Sequence, residues 1–203
     1  SMLAAPLATL TSDVLSGRYV DESGQFNIRH LQADGLSQNW ESHSVEPYTI
    51  VKGPKMDGLE TRLARRVTTE IDAEIARKPG SETGGVLVGR FSAIGNVFQV
   101  VDTIPAPPDS RFSKTEFVLG TEGLSEQLAQ LSKFSGNTLY ALGTWHNHLA
   151  STGPSAIDFS TAAKLAIGQL FPVLMIIRTP TGYRQLIAEA VGLSSELGGN
   201  ANA

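Results

Sequence analysis

Four side chains of types that bind metals or transfer protons lie within one short stretch, at His146, His148, Ser155 and Asp158. The apolar run 138–143 predicts a buried strand that leads into this stretch. Because residues i and i+2 of a strand point to the same face, we expect the two histidines to project together. A turn then reverses the chain, and a helix that begins at Ser155 would carry Asp158 in its first turn. Two imidazoles and a carboxylate, with room for a water, are the ligands of a catalytic zinc site, which keeps one coordination position open.

Each part of this pattern also has a structural explanation. A His-x-His pair on a strand is more often a surface or packing feature, and Ser155-x-x-Asp158 has the form of an N-terminal capping box. We expect the capping box to form in addition to a ligand role for the acid. Upstream, Glu82 begins a short glycine-rich strand over 82–91, where it is either a solvated acid at the strand edge or a base beside the metal site.

Taken together, these segments resemble the signature of the JAMM metalloproteases, also called JAB or MPN+ domains. The matching residues are Glu82-x-x-Gly85-x-Leu87-x-Gly89, His146-x-His148 and Ser155-x-x-Asp158. The resemblance covers about residues 57–191 and implies an α/β (α+β) fold of the cytidine-deaminase-like JAB/MPN type, with a mixed central sheet flanked by helices. It further implies one catalytic zinc ion on His146, His148 and Asp158, with Glu82 as the general base and Ser155 steadying the oxyanion.

The sequence departs from the family pattern in two places. Leu149 stands where the family usually has proline, and the gap from His148 to Asp158 is one residue shorter than usual. In the family, the region corresponding to 105–120 contributes a strand or lid that grips an extended substrate. The chain lacks the second insertion of ubiquitin-chain-selective members, which favours a simpler bacterial-type peptidase.

The resemblance implies an isopeptidase or peptidase that cleaves after the C-terminal tail of a ubiquitin-like protein, in a conjugate or in a precursor. Activating or conjugating enzymes of the same pathway are the further partners it implies. A non-catalytic MPN scaffold that binds a partner through the sheet edge is one alternative, although a scaffold has no need of a matched base and ligand set. Another is a RadC-like protein of DNA metabolism, since Asn147 and the run 151–155 resemble that branch.

The totals narrow the class of protein. A length of 203 residues predicts one domain with an appendage. A net charge of −4 with mixed signs argues against nucleic-acid binding, which requires a basic surface. The absence of cysteine excludes disulfides, thiol catalysis and cysteine ligands, and it is compatible with a reducing cytoplasm, where we expect the protein to act. The sequence contains no run of about 18 apolar residues, so it predicts no membrane span.

The chain divides into three predicted parts: an N-terminal extension or linker over 1–56, the metalloprotease domain over 57–191, and a flexible tail over 192–203. The extension contains a possible short helix over 3–15, and the sequence leaves open whether it is a linker, a docking arm or a cover for the sheet. A first helix is predicted over 59–78 from apolar residues at a four-residue spacing, with a capping box at Asp57.

Further elements follow in order. A hairpin is predicted from the strand 82–91 into 97–101, and a helix carries Leu124, Leu128 and Leu131 on its core face. A fully buried strand is predicted over 173–177, with a turn at 179–182 into a last strand. The helix that begins at Ser155 is expected to pack through five residues, Phe159, Ala162, Ala163, Ala166 and Leu170.

Overall fold

The computed structural model describes residues 25–31, 38–44, 48–52 and 59–190. The predicted helix over 3–15, the predicted cap at Asp57 and the predicted tail over 192–203 lie outside these ranges. Among the described residues, none of the helices has the length and apolar character that crossing a membrane requires.

The described residues form eleven strands and three helices. The strands are β1 (Gln25–Leu31), β2 (Gln38–Ser44), β3 (Tyr48–Lys52), β4 (Glu60–Ala64), β5 (Gly84–Ser92), β6 (Val97–Pro105), β7 (Arg111–Phe112), β8 (Phe117–Val118), β9 (Tyr140–Asn147), β10 (Val173–Thr179) and β11 (Gly182–Ala188). The helices are α1 (Arg65–Arg77), α2 (Leu124–Phe134) and α3 (Ala156–Ala166).

Seven strands form one mixed sheet in the order β11-β10-β9-β5-β6-β4-β3. β9 lies inside the sheet, next to the middle strand β5, and is antiparallel to β5 and parallel to β10. β1 pairs with β2, and β7 with β8, as separate antiparallel hairpins. The predicted mixed central sheet flanked by helices is therefore confirmed as an architecture, and β3, which lies within the predicted N-terminal extension, is an edge strand of that sheet.

Helices cover both faces of the sheet. Val67 and Ile71 of α1 pack in one core cluster with Leu87 and Leu174. On the opposite face, α2 packs against a cluster around Val86, and α3 packs in a cluster of its own on β10 and β11. The register places Val86 opposite Thr144, and Thr144 opposite Met175, so α2 and α3 share this second face.

The predicted helix over 59–78 is wrong in its first third. Residues 60–64 form β4, which pairs with β3 on one side and with β6 on the other, and the helix begins only at Arg65. Leu63 lies in the strand while Val67 and Ile71 lie in the helix, and all three are fully buried against the same core. The four-residue spacing therefore runs through a strand–helix junction, where sheet pairing overrides the apparent helical period.

The predicted packing face of α3 is wrong in part. The buried positions are Asp158, Ala162 and Ala166, which are spaced by four residues and face the sheet. Phe159 lies one residue further around the helix and is 54% exposed, and Leu170 lies beyond the helix end and is fully exposed. Ala163 is also exposed. This rotation of the helix places the Asp158 side chain against the sheet.

Several other predicted elements are confirmed. The hairpin of β5 and β6, the helix α2 and the buried strand β10 occur where the sequence predicted them, with ends that differ by a few residues. The leucines of α2 are partly buried and pack against Val86, Val88 and Ile104. Glu82 precedes β5 instead of beginning it.

Candidate metal centre

Two imidazoles and one carboxylate converge on one point at the end of β9. The Nε2 atoms of His146 and His148 are 3.0 Å apart. Asp158 places Oδ1 3.2 Å from His146 Nε2 and Oδ2 3.5 Å from His148 Nε2. Three ligand atoms, one from each residue, lie within 4.8 Å of one another, so the group can hold a metal ion. The sequence prediction that the turn and helix return Asp158 to the two histidines is confirmed, despite the short gap.

The spacing of these atoms is of the size that ligands around a small ion require. Zinc binds histidine nitrogen and carboxylate oxygen at about 2.0–2.1 Å, so adjacent ligand atoms of a tetrahedral site lie about 3.3 Å apart. The two Nε2 atoms are 3.0 Å apart and lie 3.2 Å and 3.5 Å from different oxygens of Asp158, so all three contacts are close to this value. Three protein ligands leave the fourth position free for water or substrate, which is the pattern of catalytic rather than structural zinc sites.

Strand pairing fixes both histidines. His146 lies in β9 between Gly84 of β5 and Ile177 of β10. His148 follows the strand, where its backbone N–H donates to the carbonyl of Arg178 (3.0 Å) and continues the parallel pairing. Its Nδ1 lies 3.1 Å from Thr152 Oγ1, which orients the ring and leaves Nε2 for the metal site.

The capping box of α3 fixes the carboxylate. The Ser155 backbone N–H donates to Asp158 Oδ2 (2.6 Å), and the Asp158 N–H donates to Ser155 Oγ (3.2 Å). Burial alone would raise the pKa of Asp158, but the hydrogen bonds from His146 and Ser155 outweigh it and hold that pKa well below its ordinary value of 3.8. Asp158 thus caps the helix, as the sequence predicted, and its ionised carboxylate is available to a metal ion.

Glu82 lines the same cavity as the three ligand residues. Its backbone N–H donates to the carbonyl of Ser113 (2.7 Å). Burial raises the pKa of Glu82 above 4.5, while the charges of His148 and His146 act in the opposite direction. A carboxylate with a raised pKa beside side chains that can hold a metal ion is a candidate general base.

The Ser155 hydroxyl also lines the cavity. Its oxygen accepts from the Asp158 amide, which uses a lone pair but not the hydroxyl proton. Ser155 can therefore donate a hydrogen bond into the cavity while it caps the helix.

The cavity has a volume of about 730 Å³ and lies between α3 and the hairpin of β7 and β8. Two side chains hold the base of the hairpin closed: the Asp109 carboxylate accepts from the amides of Thr121 and Glu122, and Ser110 Oγ accepts from the amide of Gly120. These backbone hydrogen bonds lower the pKa of Asp109. The loop over 105–120, predicted to form a strand or lid, thus contains a two-stranded hairpin beside the candidate metal centre.

The absence of a side chain at Gly84 lets the hairpin approach the sheet next to His146. A Cβ atom at Gly84 would lie 2.2 Å from the carbonyl oxygen of Trp145 and 2.4 Å from the ring of Phe117. Phe117 packs with Phe112 at a centroid distance of 5.6 Å, and Lys78 Nζ lies 3.2 Å from the Phe112 ring centre. Glycine is therefore required at the point where β5, β9 and the hairpin meet.

Sequence reasoning missed one residue of the site, Asn147. The sequence predicts that its side chain points away from the histidines, and the structure buries it among the residues next to Glu82. A buried amide between two ligand histidines is a signal for a structural hydrogen bond, but its partner at residue 83 is not readable from the sequence.

Comparisons with known proteins give one informative relative. No family model matches the chain. A protein named CD-NTase/cGAS isopeptidase, from Enterobacter hormaechei subsp. hoffmannii (strain UCI 50), is 33% identical over 102 residues, which are 48% of this chain. The chain spans about half the length of this curated relative, 55%. The solution structure of protein DSY2949 from Desulfitobacterium hafniense is 20% identical over 60% of this chain and 86% of its own, with a TM-score of 0.37, too low to bear on the fold.

Proposed function

We propose that this chain is a zinc-dependent isopeptidase or peptidase of the JAMM type, with the JAB/MPN fold. Its substrate is the amide bond after the C-terminal tail of a ubiquitin-like protein, in a conjugate or in a precursor. The observation that carries the proposal is the convergence of His146, His148 and Asp158: the two Nε2 atoms lie 3.0 Å apart, and each lies near one Asp158 oxygen, at 3.2 and 3.5 Å. The name of the Enterobacter relative, an isopeptidase, supports the same class of reaction.

The donor set fits zinc. Two neutral imidazoles and one carboxylate carry a charge of −1, so a site with a divalent ion keeps a net positive charge that favours polarisation of a carbonyl. When bound, zinc acts as a Lewis acid on the scissile carbonyl and lowers the pKa of water from 15.7 to about 7. Thr152 Oγ1 contacts the Nδ1 atom of His148, and a histidine that binds zinc through Nε2 usually makes a contact of this kind with its other nitrogen.

Glu82 and Ser155 supply the remaining chemistry. The Glu82 carboxylate accepts a proton from the attacking water and returns it to the leaving amine, a role that contributes about 10²–10⁴-fold in rate. The burial that raises the pKa of Glu82 suits both halves of this transfer, because the group must take up the proton and then release it. The Ser155 hydroxyl donates to the oxyanion that forms on the attacked carbonyl.

The cavity beside this centre suits an extended peptide. Its walls combine the hairpin residues Phe117 and Leu119 with Ile157 and Leu165 of α3. An extended tail bound there would place its final peptide bond beside Glu82 and the ligand residues. The hairpin edge offers main-chain hydrogen bonds of the type that strand addition uses.

Metal analysis and a cleavage assay test the proposal together. Purified protein is expected to contain one zinc per chain by elemental analysis, and to release a fluorescent amine linked through an amide bond to the last residue of ubiquitin-like proteins. Glu82→Gln is the matched variant, and it is expected to keep the zinc and to lose turnover. A protein without zinc, or a Glu82→Gln variant that loses zinc, would contradict the assignment of ligands and base.

A further inference from the structure

Asn147 connects the strand that carries both histidines to the segment that carries Glu82. It is 3% exposed, and its Oδ1 accepts a hydrogen bond of 2.6 Å from the backbone N–H of Thr83. Its own backbone N–H donates to the Thr83 carbonyl (3.0 Å), and its Nδ2 donates to the Ser81 carbonyl at 3.5 Å. One residue therefore contacts the backbone on both sides of Glu82.

The segment before β5 depends on this side chain for its position. Regular pairing of β5 with β9 ends at Gly84 and His146, so residues 81–83 lie beyond the ladder. Thr83 is fully buried, and a buried backbone N–H requires a partner. Asn147 Oδ1 is that partner, and it takes the place of the next ladder bond. On its other side, Glu82 is held by the hydrogen bond to the Ser113 carbonyl.

The position of Asn147 in the sequence determines what these bonds achieve. Asn147 lies between His146 and His148, so any shift of its backbone moves both ligand histidines. The same side chain bonds the backbone of Ser81 and Thr83, so it links the position of the segment around Glu82 to that of the two histidines. Proton transfer is sensitive to this distance, since a displacement of about 1 Å can cost about 10²-fold in rate.

We propose that Asn147 is a positioning residue, which holds Glu82 at a fixed distance from the ligand histidines. This inference rests on the function proposed above and names a residue that the candidate catalytic set does not include. The hydrogen bonds of the Asn147 side chain go to the backbone of Ser81 and Thr83, so it acts through this segment.

The variant Asn147→Ser tests this role, because serine is too short to reach the Thr83 amide from the same backbone position. We expect kcat to fall by about 10–100-fold, with KM and zinc affinity, measured by chelator competition, close to those of the wild type. Hydrogen exchange at the Thr83 amide is expected to become faster in the variant, which reports the lost bond without reference to activity. Asn137→Ser is the matched control: Asn137 contacts Ser132 Oγ (2.7 Å) in the turn before the same strand, at φ 63°. It is expected to lose stability and keep its kcat.

A double-mutant cycle separates positioning from general disruption. If Asn147 acts through Glu82, Asn147→Ser is expected to cause little further loss of rate in the Glu82→Gln background. Equal losses in both backgrounds, a wild-type kcat in Asn147→Ser, or a parallel fall in zinc affinity would each overturn the positioning role. A wild-type protein without turnover would instead overturn the proposed function, and with it any catalytic role for Asn147.

Discussion

The replacement Asp158→Asn separates the two tasks of one carboxylate. Asp158 Oδ2 accepts the Ser155 N–H at 2.6 Å and caps α3, while both oxygens face the histidine nitrogens. Asparagine keeps an oxygen for the cap but loses the charge. Asp158→Ala removes both, so the two variants together distinguish the cap from the ligand. We expect Asp158→Asn to keep α3 intact and to lose most of its metal affinity.

The size of the loss follows from the number of ligands. Binding of structural zinc to four-ligand peptides is worth about 10–16 kcal/mol, or about 2.5–4 kcal/mol for each ligand, which corresponds to about 10²–10³-fold in affinity. The additional loss of the cap in Asp158→Ala is expected to reduce stability by about 1 kcal/mol more than Asp158→Asn.

Proton linkage gives a second signature in the metal-free protein. The pKa of Asp158 is lowered in the folded state, so its stabilising contribution is present above the unfolded pKa and is lost as pH falls through the folded value. The stability difference between wild type and Asp158→Asn is therefore expected to be largest near neutral pH and to shrink below about pH 4.

Chelator competition measures the zinc dissociation constant of each variant. Urea denaturation of the metal-free proteins from pH 2 to 7 measures the pH dependence of their free energy of unfolding. An Asp158→Asn variant with the zinc affinity of the wild type would refute the ligand assignment. An equal loss of stability at pH 7 and at pH 2 would refute the linkage.

Three further predictions concern the same centre. Ser155→Ala is expected to lower kcat by about 10²–10³-fold, because the oxyanion loses a donor, and to destabilise the protein by about 1 kcal/mol, because α3 loses its cap. A normal kcat with lowered stability would show that Ser155 acts only as a helix cap. In the metal-free protein, the pKa of the Glu82 carboxyl is expected to lie above 4.5 by ¹³C NMR. A raised carboxyl pKa lowers the stability of the folded state as pH rises through it, so Glu82→Gln is expected to stabilise the metal-free protein at pH 7. An unchanged or lower stability of this variant would contradict the burial of Glu82. Gly84→Ala is expected to lower the free energy of unfolding by about 1–3 kcal/mol and to reduce turnover, because its Cβ would collide with the Trp145 carbonyl. Gly153→Ala is the control, since a Cβ at Gly153 would meet open space. Equal stability of the two variants would exclude the collision.

The sequence predicts that His146, His148 and Asp158 come together because their convergence depends on local geometry. The two-residue period of β9 accounts for His146 and His148, and the capping box accounts for the orientation of Asp158. These relations hold over a few residues and need no knowledge of distant contacts. These two relations bring His146, His148 and Asp158 together.

Features that depend on distant pairing are not readable in the same way. The segment 60–64 has a helical apolar spacing, and only its pairing with β3 and β6 makes it a strand. Phe159 is exposed because α3 turns Asp158 and the alanines spaced four residues apart toward the sheet. The bond between Asn147 and Thr83 joins residues 64 positions apart in the chain, so no local pattern announces it.

The most direct test of the zinc centre is a crystal structure of the zinc-loaded protein with anomalous diffraction measured on both sides of the zinc edge. We expect one zinc peak bound by His146 Nε2, His148 Nε2 and the Asp158 carboxylate, with solvent at the remaining position within hydrogen-bond reach of Glu82. A zinc ion bound elsewhere, an Asp158 side chain turned away from the ion, or a Glu82 carboxylate distant from that solvent would contradict it.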